Sequence, residues 1–235
     1  MLLSVIELAV VDLTGTAVRD DGVVERALLE ALAGAGLGDD GPELQARLAF
    51  VRATMGQARI DVLETLFLDD VGRAWEAAHR FEDAFDAAVA RGEVEPLPGA
   101  EAALTALRAA GVRICLATEL SPRNRDHLLD VFGWRDLVDL ALAPEDGLRG
   151  APAPDLVLSA LMRLRVDDVH AVAVVGDTVA DLDAGTRSGA SIVAGVLTGA
   201  HTRRQLEDAP HTHLLEGIHL LPELIASAHV PRCVH

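Results

Sequence analysis

Apolar positions follow two different rhythms along this chain. The first is a short, nearly unbroken apolar run over residues 5–11 that stops at Asp12 and passes into Leu13-Thr14-Gly15-Thr16. A run without alternation predicts a parallel strand buried on both faces and ending in a polar loop. From residue 23 the spacing changes. Apolar residues recur every three or four positions over 23–37 before Gly38, then over 43–54, 59–68 and 71–90, which predicts four helices in succession. With no strand between them they read as a separate helical unit. It ends at Glu93-Val94-Glu95-Pro96-Leu97-Pro98-Gly99, where two prolines and a glycine break any helix.

Beyond residue 99 helix and strand alternate. Helices are predicted over 100–110, 122–132, 154–164 and 179–188, and strands over 112–118, 138–142, 171–176 and 191–196. Residues 202–228 add a short helix, a strand near 213–215 and a last helix. The alternation predicts an α/β, Rossmann-like parallel sheet with helices on both faces. Residues 1–17 and 96–235 form this core. Residues 18–95 are inserted after the first strand, with hinges near 18–22 and 93–98.

Composition narrows the function. At 235 residues, half of them apolar and 20 of them glycine, the chain is expected to be globular, as one large domain or a domain with an insertion. A net charge of −17 argues against nucleic acid and against anionic membranes, both of which reward clustered lysine and arginine. The apolar start is interrupted by Glu7 and Asp12 and lacks a basic leader. Neither a signal peptide nor a spanning segment is expected, and a cytoplasmic location is. Cys115 falls in a predicted strand and Cys233 in the tail, which suits two reduced thiols better than a disulfide or a zinc site. All 20 basic residues are arginine, so no lysine Schiff base can form anywhere in the chain.

The candidate chemistry lies at predicted strand ends, where parallel sheets bind their ligands. Asp12 closes the first strand, and Gly15 permits the tight turn after it. A second end, Val175-Gly176-Asp177-Thr178-Val179-Ala180-Asp181, opens a helix that Thr178 can cap, with Asp181 in its first turn. Asp12, Asp177 and Asp181 gathered in one place are costly unless a cation offsets them, and hard oxygen ligands suit Mg²⁺. A third end, Leu116-Ala117-Thr118-Glu119-Leu120-Ser121, supplies a hydroxyl at Thr118. Each has a plainer reading, Asp12 as a turn cap and Thr118 as a good strand former. His211 and His213 alternate as strand residues do and are given no role.

Together these stretches resemble the haloacid dehalogenase superfamily of aspartate-nucleophile phosphotransferases. Met55-Gly56-Gln57-Ala58-Arg59, Pro152-Ala153-Pro154-Asp155 and Gly195-Val196-Leu197-Thr198-Gly199-Ala200 are most similar to its phosphonatase-like branch. The resemblance implies that Asp12 attacks phosphorus, that Thr118 and Gly15 hold the phosphoryl group, and that Asp12, Asp177 and the Thr14 carbonyl bind Mg²⁺ with Asp181 alongside. It implies a mobile helical cap over residues 18–95 and a small phosphorylated metabolite as substrate; the chain is expected to be a monomer or a homodimer.

Three departures limit the analogy. Thr14 stands where most phosphatases of the superfamily carry an acid. Arg59 stands at the position of the cap lysine that forms a Schiff base in phosphonoacetaldehyde hydrolysis, and Ala151 replaces a basic residue. Arg149, two residues away, is the candidate substitute. Glu119 is also unusual: protonated, it can replace the acid; ionised, it repels phosphate; turned away, it does neither. Two readings follow, a Mg²⁺-dependent phosphohydrolase favouring good leaving groups, and a catalytically degenerate binding or scaffold protein on the same fold.

Overall fold

The computed structural model describes residues 3–37, 42–68, 70–144, 147–228 and 230–231; Gly38 and Cys233 lie outside the described residues. Six parallel strands form the main sheet: β2 (Leu8–Asp12), β5 (Arg113–Ala117), β6 (Leu140–Leu142), β7 (Val172–Gly176), β8 (Ile192–Val196) and β9 (His213–Leu215). Their spatial order is β6-β5-β2-β7-β8-β9. The chain therefore winds outward from β2 in both directions, which puts the topological switch at the first long strand. This is the α/β Rossmann-like architecture that the alternating pattern predicts.

The period of two along β2 divides the core. Ala9 and Val11 join one apolar cluster with Ile114, Leu116, Ala173 and Val175, while Leu8 and Val10 join another with Cys115, Val172 and Val174. α5 (Ala100–Ala109) and α10 (Leu221–Ser227) cover the first face through Leu104, Leu107 and Leu221. α7 (Asp155–Arg163) covers the second through Leu156, Val157 and Ala160. Each Val or Leu buried in this way contributes roughly 1.5–3 kcal/mol. Cys115 is a free thiol in the second cluster, and burial pushes its pKa up. Among the described residues no helix is long and apolar enough to cross a membrane.

Residues 18–19 (β3, Val18–Arg19) pair antiparallel with residues 95–96 (β4, Glu95–Pro96), so the chain leaves and rejoins the α/β part at one place. Arg19 and Glu95 close that pair at 2.8 Å. Between them lie α1 (Val23–Leu32), α2 (Pro42–Ala53), α3 (Arg59–Leu66) and α4 (Val71–Ala90). The helix predicted over 23–37 is α-helical only to Leu32. Ala33 to Leu37 form a wider turn, because Gly36 adopts a left-handed φ of 83°. β3 and β4, with β1 (Leu3–Ser4) and β10 (Val230–Pro231), are two residues each, too short for any periodicity to reveal.

α4 is bolted to α6 (Pro122–Phe132) by a polar cluster centred on Asp86. Its carboxylate accepts from Asn124 Nδ2 at 2.8 Å, pairs with Arg123 Nε at 2.9 Å and lies 2.8 Å from His127 Nδ1. Asn124 is fully buried and its Nδ2 also donates to the Glu82 carbonyl at 3.1 Å, so loss of Asp86 leaves one of its two amide hydrogens with no partner and no water to turn to. Asp86→Ala should cost on the order of 2 kcal/mol, the penalty for stranding a buried donor, seen as a lower urea midpoint at unchanged slope. Asp83→Ala, which removes an exposed partner of the half-exposed Arg123, should cost under about 0.5 kcal/mol. Equal losses in the two variants would refute the buried-donor account.

Candidate active site

The register of the sheet assembles the carboxylates. Asp12 ends β2 opposite Ala117, and Val11 lies opposite Val175, so Asp177, two residues further on, emerges beside Asp12. α8 (Val179–Ser188) starts at once, with Thr178 and Asp181 in a capping box. Asp181 Oδ2 accepts from the Thr178 N–H at 3.0 Å and hydroxyl at 2.5 Å. Asp12, Asp177 and Asp181 each present an oxygen within 4.8 Å of the others.

Asp177 sits in a backbone cradle. It accepts from Ala200 N–H at 2.6 Å and from the Thr16 hydroxyl at 3.2 Å. Gly15, at φ 88°, has room for no side chain, since a Cβ there would come within 2.4 Å of the Asp177 carboxylate. Thr198 locks the turn by donating to the Gly15 carbonyl at 2.7 Å.

Crowding and burial shift all three groups the same way. Burial first, then Asp181 and Asp177, raise Asp12 well above its ordinary range. Burial also raises Asp177, and burial together with Asp177 pushes Asp181 up to about 7. Asp12 Oδ2 has no hydrogen-bond partner. Three crowded carboxylates, one with an unanswered oxygen, are the donor set that a hard divalent cation suits.

The triad opens into a cavity of about 560 Å³, the size of a small-metabolite site. Thr14, Gly15, Glu119 and Arg59 also line it. Arg59 arrives from the first turn of α3, is nine-tenths buried, stacks over Phe81 at 5.6 Å and has no partner at Nε. Burial lowers its pKa, against the pull of Glu119, Asp20 and Asp12. Glu119 accepts from Ala151 N–H at 2.8 Å, leaves Oε2 without a partner, and is raised by burial to about 8.

One expected phosphate contact is not brought in. Arg149 does not line the cavity; its exposed guanidinium is clamped to Asp155 at 2.7 and 2.9 Å, because Asp155 opens α7 six residues on. Thr118, just past β5, is buried, and its hydroxyl oxygen accepts from Leu120 N–H at 3.2 Å, a bond that does not use the hydroxyl's own proton. Conversely, Thr16, Thr198 and Ala200 had no assigned role, although 195–200 stands out in the sequence. Arg52 and His201 also line the cavity without any sequence signal. His201 Nδ1 accepts from Val179 N–H at 2.9 Å, and burial holds its pKa down. Met55 and Gly56 bring the helical insertion onto α8, with a Cβ at Gly56 (φ 84°) falling 2.2 Å from the Thr178 hydroxyl.

Residues 6–189 match the family model of haloacid dehalogenase-like hydrolases. The chain belongs to that family. It is 30% identical over 226 residues to phosphonoacetaldehyde hydrolase of Bacteroides fragilis, covering 88% of this chain and 81% of that one. It is equally identical over 225 residues to phosphoglycolate phosphatase of Cereibacter sphaeroides, covering 92% and 96%. With the bifunctional riboflavin kinase/FMN phosphatase of Arabidopsis thaliana it shares 29% identity over 78% of this chain, spanning 47% of that protein's length. A hydrolase from Pseudomonas syringae shares the fold at TM-score 0.80 and 22% identity, covering 94% of this chain and 99% of that one. This hydrolase thus has phosphatases and a phosphonate hydrolase among its relatives.

The raised carboxylates have a consequence for stability. A group whose folded pKa lies above its unfolded one stabilises fully below the unfolded value and loses that contribution as pH rises through the folded one. For Asp181 the window runs from about 4 to about 7. In EDTA, the natural protein should lose stability relative to Asp181→Asn across that window, and a divalent cation should remove the loss. Urea midpoints that run parallel for the two proteins would contradict it.

Proposed function

We propose that this protein is a Mg²⁺-dependent phosphohydrolase acting on a small phosphorylated metabolite through an aspartyl-phosphate at Asp12. The observation that supports this most is the meeting, in one cavity, of the Asp12, Asp177 and Asp181 oxygens with the buried Arg59 guanidinium. Asp12, Asp177 and the Thr14 carbonyl would hold the ion, with Asp181 beside them. Bound there, it supplies positive charge to offset the oxygens of a transferring phosphoryl group.

The chain's own groups divide the remaining work. Asp12 attacks phosphorus; the new Asp12 oxygen–phosphorus bond forms as the bond to the leaving oxygen breaks, and the electron pair departs with that oxygen. Water then cleaves the aspartyl-phosphate and restores Asp12. Arg59 receives the anionic substrate, in a place where its charge meets no partner at Nε. An imine route is closed, because the sequence contains no lysine.

Thr14 offers a hydroxyl and not an acid, so a leaving group that needs a proton must take it from elsewhere. Glu119 is the candidate donor, since burial keeps it protonated to about pH 8 and it lines the cavity. Residues 18–95 act as a cap that carries Arg59 and closes on Thr178 through Gly56.

Acetyl phosphate, p-nitrophenyl phosphate and simple alkyl phosphates should be assayed with Mg²⁺ and with EDTA. Turnover should require Mg²⁺, favour the first two, and fall at least ~10³-fold in Asp12→Asn. Activity that persists in Asp12→Asn would exclude the aspartyl-phosphate.

Thr14→Asp should raise turnover of alkyl phosphates more than that of the activated ones, by up to the ~10²–10⁴-fold that a general acid is worth. If the natural protein already hydrolyses alkyl phosphates fast, Glu119→Gln should abolish that advantage. A protein that binds Mg²⁺ but hydrolyses none of these, before or after Thr14→Asp, would be a binding protein on this fold.

A further inference from the structure

Cleavage of an aspartyl-phosphate by water calls for a base to take the water's proton, a role worth ~10²–10⁴-fold in rate. Thr14 cannot fill it, because its hydroxyl is a hydrogen-bond partner and not a base. The other groups that could fill it are engaged. Among the described residues that line the larger cavity, Asp20 accepts from the Val24 N–H at 2.9 Å, and Asp21 pairs with Arg19 at 3.3 Å. Glu25 takes two bonds from Arg52, at 2.8 and 2.9 Å, which hold its pKa down and weaken it as a base. His201 Nδ1 accepts from the Val179 N–H at 2.9 Å, so the neutral ring carries its hydrogen on Nε2 and has no nitrogen left to accept another. Asp177 and Asp181 accept from Ala200, Thr16 and Thr178 at the candidate cation site. Glu119 remains, and it can receive a proton only after giving up the one assigned to it above.

The leaving group therefore decides what happens next. An acyl phosphate loses a carboxylate, which departs without a proton, so Glu119 keeps its own and has no place for one from water. The aspartyl-phosphate then persists until a nucleophile arrives that needs no base. A second carboxylate is such a nucleophile, since it is ionised before it attacks. Arg59 offers it a seat: the guanidinium is nine-tenths buried, meets no acceptor at Nε, and matches a carboxylate in a planar, two-bond geometry. The place that the first carboxylate vacates thus suits the second.

We propose that this protein has a further activity, the transfer of a phosphoryl group from an acyl phosphate to a carboxylate acceptor by way of Asp12. In the first half, the Asp12 oxygen–phosphorus bond forms as the bond from phosphorus to the donor's carboxylate oxygen breaks, and the electron pair leaves with the donor carboxylate. In the second half, an oxygen of the acceptor carboxylate bonds to phosphorus, and the electron pair of the breaking bond returns to Asp12. No proton moves in either half. The bond broken and the bond made are of one kind, so the transfer runs in both directions. The inference rests on the aspartyl-phosphate reading above and adds the acceptor to it.

The full-length protein is given acetyl phosphate and Mg²⁺ with either propionate or propanol, an acceptor of the same carbon count that must lose a proton, and the products are followed by phosphorus NMR. Propionyl phosphate should form at least ~10²-fold faster than propyl phosphate, the lower worth of the base that the alcohol lacks. Intact mass spectrometry of acid-quenched samples should find the protein one phosphoryl group heavier, propionate should speed the loss of that group, and Asp12→Asn should stay unmodified. Thr14→Asp supplies a base and should lower the ratio of propionyl phosphate to orthophosphate ~10²-fold. Should that variant fold poorly, Arg59→Gln should raise the half-saturating propionate concentration about tenfold or more, the loss of one charged hydrogen bond. Orthophosphate as the only product of acetyl phosphate would overturn this inference and leave the phosphohydrolase reading standing. Propyl phosphate formed as fast as propionyl phosphate, or a ratio unmoved in a folded Thr14→Asp, would overturn it as well, as would a half-saturation unmoved in Arg59→Gln. Acetyl phosphate left unconsumed, with no phosphoryl group on the protein, would overturn both readings together.

Discussion

Carboxylates held together away from water are the constraint on which the rest of this structure depends. Asp12 and Asp177 meet because β2 and β7 are neighbours in register, and Asp181 joins them because α8 begins one residue after Thr178. None can withdraw. Gly15 crowds Asp177 from one side, the Ala200 N–H and Thr16 hydroxyl grip it, and the capping box pins Asp181. The repulsion emerges as raised pKa values and an unpartnered Asp12 oxygen. A fold that used these residues only as helix caps would have no reason to bring a third carboxylate to Asp12, since capping asks for one acceptor per helix.

Much of this was legible in the sequence because strand ends are visible in a hydrophobic pattern. Asp12 and Asp177 each follow an apolar run, so their roles as strand-end residues, and their meeting, follow from sheet order alone. The contact that failed to appear was decided by local competition instead. Arg149 is taken by Asp155, six residues on. Such pairings depend on turn geometry, to which periodicity is blind. The Asp177 cradle was hidden for the opposite reason. Ala200 lies 23 positions from Asp177 and Thr198 lies 183 from Gly15, so only the assembled sheet brings them together.

The helical insertion and the sheet meet through two kinds of contact with different physics. At the Asp86 cluster, Arg123, Asn124 and His127 of α6 engage one carboxylate of α4, directional bonds that strand a buried amide if they part. At Gly56 the insertion touches Thr178 with no side chain of its own, a contact that holds by close fit. Parting at Asp86 would break several charge-assisted bonds, whereas Gly56 contributes none of its own, and three residues on Arg59 is held by the charge of Glu119 and Asp12.

That geometry gives Arg59 a particular meaning. Of the arginines that the insertion brings to the cavity, Arg19, Arg52 and Arg59, it is the buried one, and its charge is felt by Glu119, Asp20 and Asp12. Burying a guanidinium whose Nε meets no acceptor is expensive, and here the offsetting attraction comes from carboxylates on the sheet. The closed arrangement is thus stabilised by the same negative charge that an incoming anion must overcome. On the proposed reading, an anion seated at Arg59 would gain most when a cation neutralises the Asp12, Asp177 and Asp181 cluster, which relieves Arg59 of its part as counter-charge. On the proposed reading, charge on the sheet and charge on the insertion act as one system, so a change at Arg59 would alter the affinity for an ion at Asp12, Asp177 and Asp181, and the reverse.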